Sequence, residues 1–597
     1  MQPHTKIVTR TKNSRLAWLF IGLLVLFKLW LVSGQSLWAL AHASHDDLLF
    51  IRLANHLAQL DWLGPYDNLT LSKGPFYPMW IACMFLASIP LLLSQHLLYI
   101  AADLVMYHAL RPFAEHCLLR IAIFVLLLFN PATVDIQLAR VLRDALYPGL
   151  TLLVVATTIG LFARRHEPAC SLVGWAVTCG LATAAFWLTR EEGLWILPLL
   201  VPLVSWTMAA AIFTGKWNWR KITILTLPLL LPTIMLQAVS LMNWTYYGVY
   251  ATVEFKTSEY KAAYGALTRV QPREHKPQVP IPKETRQHIY EQSKAFKELQ
   301  PFFERDGFWT LGTVGFMDHP SGSDEIGGGW FMWALRDAAA DAGYFTSGAK
   351  AASFFQQIAG EVNAACEEKR LDCLDERATM MPPWRNKYLL PVVEKTWLGF
   401  RMLTAFSSMS SRSVSSMGSP DNKQLFQDLT REKLSDQIKL PRQARLDQLK
   451  QSLQEKILLI YQIVTPFLAT IALLAMGVWF FRSVRNRKPT PLGFIAVCVM
   501  MALFTRLLIL AIIDVTSFPA VSVTYMSPLY PLLLLCYGLL LLEWRPADFA
   551  FIHPVRWTGR LHERAQRSWR PFLRNRSDPA TLAANSPDIA RGGGYPE

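Results

Sequence analysis

The chain has 597 residues, of which 52% are hydrophobic and only 17% are charged, and it contains 21 tryptophans and 33 phenylalanines. This composition is typical of a membrane protein and excludes a single small soluble domain. The net charge of +15 is concentrated at the N-terminus, in short loops between apolar runs and in the C-terminal tail. Such a distribution is typical of cytoplasmic loops, so nucleic acid is not an expected partner.

Apolar runs of about 17–25 residues predict transmembrane helices. The first run lacks a small-residue cleavage site and is therefore expected to remain as a helix. Residues 95–111 are assigned to the membrane interface, because a further span there would move the basic Arg164-Arg165 loop to the wrong side. The pattern predicts an α-helical polytopic membrane protein with about 10–12 transmembrane helices. We place the spans near 16–34, 76–94, 118–131, 144–162, 171–189, 193–213, 222–242, 456–481, 491–512 and 521–542.

The basic loops put both chain ends in the cytoplasm and predict four regions. Residues 1–242 form an N-terminal transmembrane module with charged external loops, and 243–455 form a mainly helical external soluble domain. Residues 456–542 form the C-terminal transmembrane helices, and 543–597 form a basic cytoplasmic tail that is partly disordered. We expect a multi-pass protein of a bacterial inner membrane, although sequons at Asn68 and Asn243 leave the endoplasmic reticulum open.

The predicted external domain contains one pair of cysteines, Cys366 and Cys373, in "EVNAACEEKRLDC". External compartments are oxidising, so a local disulfide is expected, and two free thiols are the alternative. In the same domain, Gly327-Gly328-Gly329 precedes Trp330, Phe331 and Trp333. These aromatic residues form either a shelf on which a sugar stacks or the packed start of a helix.

Acidic, basic and tyrosine side chains gather in four short loops that are predicted to be external. Arginine and lysine bind phosphate well, and a neighbouring carboxylate can act as a general base on a hydroxyl. The alternative for the first loop is a solvated helix start, because "SHDDLLFIRLANHLAQL" has helical spacing and Ser44 or Asp46 fits an N-cap. The loops contribute Asp46, Asp47, Lys73 and Tyr77; Arg143 and Asp144; Arg190 and Glu191; and Tyr525.

The order of these parts resembles the GT-C superfamily of membrane glycosyltransferases, in particular the branch of protein O-mannosyltransferases and the lipid A aminoarabinose transferase. The matching elements are the pair Asp46-Asp47, the Lys73-Gly74-Pro75 element, Arg143-Asp144 after Pro131, and the "TREEG" turn from Thr189. The "RY…P" element of the family is replaced by "TYMSP", with Thr524 at the arginine position. The resemblance covers about residues 16–250 and 456–542, and therefore implies a GT-C-like fold.

The resemblance implies transfer of a sugar from a polyprenyl-phosphate donor to an acceptor hydroxyl, with inversion, on the external face. Asp46 or Asp47 would be the catalytic base, and Asp47 is preferred because Asp46 is the better N-cap. Donor, bilayer and a glycan, lipid or protein acceptor are the expected partners; no metal ligand is assigned, and a divalent metal beside the acidic pair is left open. The competing interpretation is a polytopic transporter or flippase for a lipid-linked or anionic substrate. The expected substrate-binding residues are Lys73, Tyr77, Arg143, Asp144, Arg190, Glu191 and Tyr525.

Overall fold

The structure, a computed structural model, describes residues 4–114, 117–213, 219–305, 325–437, 440–486 and 489–543. These residues form helices joined by turns, and within them β-pairing is confined to isolated bridges. The predicted tail, 543–597, lies outside the described residues except for Glu543. The fold is therefore α-helical, as the sequence indicated.

Eight helices are long and apolar enough to cross a membrane, counted over the described residues by length and composition. Two more candidates among the described residues are the shorter apolar helix α21 (Leu529–Glu543) and the helix α4 (Leu91–Ala109), which is the longer arm of a bent pair, so ten result. The eight are α1 (His4–Val32), α5 (Cys117–Leu128, extended by a 3-10 turn to Val134), α6 (Tyr147–Ala163), α7 (Ala169–Thr189), α8 (Leu197–Phe213), α9 (Trp219–Tyr247), α18 (Pro441–Asn486) and α19 (Pro491–Thr516).

The segment predicted as one span at 76–94 is broken. Helix α3 (Phe76–Leu86) ends before Pro90, and α4 (Leu91–Ala109) leaves at an angle of 109° to it. Ser88 lies between them with a positive φ of 57°, which a continuous helix does not allow. The prediction of one continuous span at 76–94 is therefore wrong, because the chain turns between 86 and 91. The helix that follows, 91–109, contains most of the segment that was assigned to the membrane interface.

The direction of α4 follows from its contacts. The Arg164 guanidinium donates to the His108 carbonyl at 3.0 Å, so α4 ends beside the basic loop that follows α6. At its start, the backbone N–H of Leu92 donates to the Glu432 carboxylate at 3.1 Å. Helix α4 therefore runs from the side where Glu432 lies to the side of the Arg164-Arg165 loop. If α4 replaces the predicted span at 76–94, the number of spans before that loop stays as predicted.

The four loops that contain the predicted site residues meet at one end of these helices, which we call the mouth end. Loops 33–75, 129–146 and 190–196 are joined there by hydrogen bonds and ion pairs. Arg506 of α19 links the fourth loop, 517–528, to Glu192 of the third. The first of these loops contains helix α2 (Asp47–Ala58), and the last contains the short helix α20 (Val523–Met526) before α21 (Leu529–Glu543).

A largely polar segment, residues 248–440, follows α9 within the compact unit Met1–Glu543, and we call it the polar domain. Its helices are α10 (Ser258–Arg269), α11 (Lys283–Gln292), α12 (Lys294–Lys297), α13 (Gln300–Phe303), α14 (Gly328–Asp341), α15 (Gly348–Glu367), α16 (Leu389–Ala405) and α17 (Pro420–Thr430). Buried apolar side chains of α10, α14 and α15 form its core, among them Tyr260, Phe331 and Phe355. Cys366, at the end of α15, is joined to Cys373 as a disulfide, with 5.7 Å between the Cα atoms.

The polar domain also contacts the mouth-end helices directly. The Lys395 ammonium of α16 pairs with Asp514 of α19 at 2.8 Å, and Phe400 stacks on Phe504 at 5.7 Å between ring centroids. The Gly327-Gly328-Gly329 turn is the start of α14 and lies against the loop after α19: a Cβ on Gly328 would meet the Ser517 Cα at 3.0 Å. Glycine there permits a close helix-to-loop contact, so the alternative of a packed helix start is the correct one.

Candidate active site

The first loop is held in place by extended backbone before its helix begins. Residues 36–41 bond to three distant segments: the Trp38 N–H donates to Ala139 O, the Ala41 N–H donates to Met417 O, and Leu37 O accepts from the Ser435 N–H. Helix α2 then starts at Asp47. Because the chain on both sides is fixed, the acidic pair has a defined position at the mouth end.

Asp47 is fully buried and bonded on both oxygens. The Arg140 guanidinium donates to it from Nε at 3.0 Å and from Nη2 at 2.5 Å, and the Leu40 N–H donates at 3.0 Å. Bidentate arginine–carboxylate pairing of this kind fixes both groups in orientation. Burial raises the pKa of Asp47 although Arg140 opposes the shift. With its lone pairs occupied, Asp47 serves as an anchor between the first and second loops.

Asp46 differs from Asp47 in exposure and in partners. Its side chain is 52% exposed, and the structure gives it an ion pair with Lys73. It occupies the residue before α2 but its side chain makes no capping bond, so the reason for preferring Asp47 as the base does not hold. Burial within the mouth raises the pKa of Asp46, but Lys73, Arg140 and Arg143 outweigh it and hold that pKa below its ordinary value. Asp46 is thus ionised, accessible and oriented.

Lys73 lies on the loop that leads into α3, and its side chain is only 6% exposed. The next residue approaches the end of α7: a Cβ on Gly74 would come within 2.1 Å of the Leu188 carbonyl oxygen. Only glycine fits this contact, which also allows the Gly74 N–H to donate to Glu191 Oε1 at 2.7 Å. Burial lowers the pKa of Lys73, while Asp46 opposes that shift.

Arg190 links three loops. Its guanidinium pairs with Asp144 and donates to Glu192 Oε1 from Nε at 3.0 Å and from Nη2 at 2.6 Å. It also lies over the Tyr525 ring, 5.2 Å from the centroid. Beside it, Arg143 donates to both oxygens of Glu191 at 2.8 and 3.0 Å. The predicted residues of the second, third and fourth loops are therefore in mutual contact.

Besides Arg140, two further residues that were not among the predicted site residues complete the arrangement. Arg506, on α19, is fully buried and lies 3.3 Å from Glu192 Oε1. Its Nε atom has no hydrogen-bond partner among the described residues. Burying a charged arginine in an apolar helix costs free energy, so its presence there indicates a functional site. Glu192 directly follows two predicted site residues, and burial of this carboxyl is outweighed by Arg190 and Arg506, which lower its pKa.

Tyr77 is placed differently from the other predicted residues. Its ring is fully buried on α3, its hydroxyl accepts from Gln95 at 3.3 Å, and Phe50 packs edge-on against it at 5.0 Å. Phe50 separates Tyr77 from the Lys73 ammonium, which lies 4.9 Å from the Phe50 centroid. Tyr77 therefore packs behind Phe50 and supports the ring that contacts Lys73.

The ionic cluster, as we call this group, contains as many cations as carboxylates. Among the described residues no three acidic, histidine or cysteine side chains converge as metal ligands, and the carboxylates are directed at cations, so the donor set does not fit a divalent metal. The members are Asp46, Asp47, Asp144, Glu191 and Glu192 with Lys73, Arg140, Arg143, Arg190 and Arg506.

No protein-family model matches the chain, and no curated protein matches it in sequence. Among solved structures, the chain is similar to the crystal structure of ArnT from Cupriavidus metallidurans in the apo state, with 13% sequence identity and a TM-score of 0.30. The match covers 90% of this chain and 80% of that one.

Proposed function

We propose that the protein is an integral membrane glycosyltransferase that moves a sugar from a polyprenyl phosphate to an acceptor hydroxyl at the mouth end. The observation that carries the proposal is the position of Asp46, a half-exposed carboxylate paired with the buried ammonium of Lys73. A base for a hydroxyl and a cation for a phosphate are thus side by side, at one end of a bundle of apolar helices.

The proposed step forms one bond and breaks one. The acceptor oxygen attacks the anomeric carbon of the sugar, and the bond from that carbon to the phosphate oxygen breaks with its electron pair. The acceptor proton moves to Asp46, and polyprenyl phosphate leaves with one more negative charge than it had in the donor. Attack from the face opposite the leaving phosphate inverts the anomeric centre.

The cations act on the charge that develops on the leaving phosphate. Lys73, Arg143 and Arg190 are the proposed phosphate contacts, and Arg506 joins them because its Nε lacks a partner. Asp144, Glu191 and Glu192 orient these cations before the donor binds. Tyr525, beside Arg190, completes the wall on which the donor would rest. Asp47 pairs with Arg140 and would thereby keep the acidic pair in position.

The orientation and acceptor follow from the same proposal. The mouth end would face the periplasm of a bacterial inner membrane, because the opposite end carries the basic loops. A polyprenyl tail would lie among the apolar helices, and a glycan, lipid or protein hydroxyl would enter from the polar domain. Mass spectrometry of the polyprenyl-phosphate sugars in membranes with the parent protein and with Asp46→Asn tests this. We expect one such sugar to accumulate in the variant; equal pools in both membranes would contradict the proposal.

A further inference from the structure

Helix α14 of the polar domain extends across the ionic cluster. Its first turn lies against Ser517 and Phe518, and Trp330 packs edge-on to the Phe518 ring at 6.4 Å. Two turns later, Asp337 bonds to the first loop, accepting from Asn68 at 2.6 Å and contacting His45 Nε2 at 3.0 Å. The helix therefore connects the last loop of the mouth to the first.

The same helix is fixed to the first loop by a buried arginine. The Arg336 guanidinium donates from Nε to the Asn68 carbonyl at 2.7 Å and from Nη2 to Glu254 at 2.7 Å. Glu254 in turn accepts from the Tyr66 hydroxyl at 2.6 Å. These contacts leave α14 little freedom to rotate, so the side chain between its two attachment points has a defined direction.

That side chain is Trp333. Its ring lies 5.3 Å from the Lys73 ammonium, and the Phe50 ring lies 4.9 Å from the same nitrogen. His45 and Phe255 pack edge-on against the indole, at 5.5 and 4.9 Å between centroids. Lys73 is therefore held between two aromatic rings, one from the first loop and one from the polar domain.

We infer that Trp333 is a positioning residue for Lys73, through which the polar domain controls binding of the donor phosphate. The inference deepens the proposed function and rests on it for the phosphate. An ammonium on a flexible four-carbon chain has many rotamers, and two ring faces restrict them to those that point to Asp46 and the mouth. The sequence alone could not pair residues 260 positions apart.

Trp333 acts through Lys73, so its loss weakens donor binding. A desolvated cation–π contact corresponds to about 2- to 30-fold in an equilibrium constant. We therefore expect Trp333→Leu to raise KM for the polyprenyl-phosphate sugar by about that factor, with KM for the acceptor unchanged. Trp333→Phe retains a ring and should recover most of the loss. Trp384→Leu, at a 53% exposed tryptophan of the same domain, is the matched control and should behave as the parent.

A second readout does not depend on activity. The purified full-length protein is pulse-labelled with a small amine-acylating reagent, and labelling of Lys73 is compared with that of Lys256, which bonds to the Glu191 carbonyl in the same mouth. We expect Lys73 to react faster relative to Lys256 in Trp333→Leu, and at the parent rate in Trp333→Phe and Trp384→Leu. If Trp333→Leu does not fold, Trp333→Met provides the ringless variant.

The outcomes separate the two claims. Unchanged Lys73 labelling and unchanged donor KM in a folded ringless variant would overturn the inference, as would identical behaviour of Trp333→Phe and Trp333→Leu. A ring-dependent change in Lys73 labelling upholds the positioning role. If the parent then transfers no sugar from any polyprenyl phosphate, the proposed function fails while the contact between Trp333 and Lys73 stands.

Discussion

Replacing Asp46 by asparagine should nearly abolish sugar transfer. The substitution keeps size and polarity and removes the base, and a positioned base contributes about 10²–10⁴-fold in rate. On the scale of about 1.4 kcal/mol per tenfold, this is about 2.7–5.4 kcal/mol of transition-state stabilisation. The Lys73 ammonium loses its ion-pair partner but keeps the contacts with Phe50 and Trp333, so folding and insertion should be preserved.

The assay is transfer of labelled sugar from a polyprenyl phosphate by the purified protein in lipid. Asp61→Asn is the matched control, because Asp61 is an exposed acid of the same loop that contacts only His56 among the ion pairs seen there. The parent should keep its rate as pH falls from 7 to about 5, since the pKa of Asp46 is held below its ordinary value of 3.8 and a base is lost only when it takes up a proton. An Asp46→Asn variant that transfers at the parent rate would refute the role of this loop.

Four other expectations follow. Asp47→Asn weakens the buried pair with Arg140 and should lower the free energy of unfolding by about 1–3 kcal/mol, while the folded fraction keeps most of its activity. Thermal unfolding and specific activity are measured together. A variant that is as stable as the parent but inactive would instead identify Asp47 as the base. Arg190→Gln should raise donor KM about 10- to 100-fold, because one charge-assisted phosphate contact is lost; an unchanged donor KM with a raised acceptor KM would remove Arg190 from the phosphate site. Cys366 and Cys373 should resist alkylation until they are reduced, and reduction should cost about 2–3 kcal/mol of domain stability by the loop-closure relation; immediate labelling of both thiols would contradict this. Reporter fusions should read external after Gly74 and Lys350 and cytoplasmic after Arg570, and a cytoplasmic signal at Lys350 would end the proposed mechanism.

The helices were predictable because long apolar runs have few alternatives in a membrane protein. The break between α3 and α4 was not, because hydropathy averages over a window and Ser88 is the only polar residue of "FLASIPLLL". Pro90 was the local sign: it cannot donate a backbone hydrogen bond and marks the start of α4. A window that gave weight to that proline would have moved the span to 91–109.

The loops that form the site were predictable from the sequence, but the ion pairs between their side chains were not. Arg140 lies 93 positions from Asp47, and nothing in the sequence distinguishes it from Arg143 as the partner of the acidic pair. The N-cap argument for Asp46 failed because capping depends on the direction of one side chain, which Lys73 decides here. Trp333 was noticed for its neighbours in sequence, whereas its relevance comes from the packing of α14 across the mouth.

The central claim is tested most directly with the purified protein in sealed liposomes that contain a polyprenyl-phosphate sugar labelled in both sugar and phosphate. After an acceptor is added, our account predicts that free polyprenyl phosphate and glycosylated acceptor appear in equal amounts, and that neither appears with Asp46→Asn. Intact donor that only changes leaflet, with no cleavage of the bond between sugar and phosphate, would contradict the account and identify a flippase.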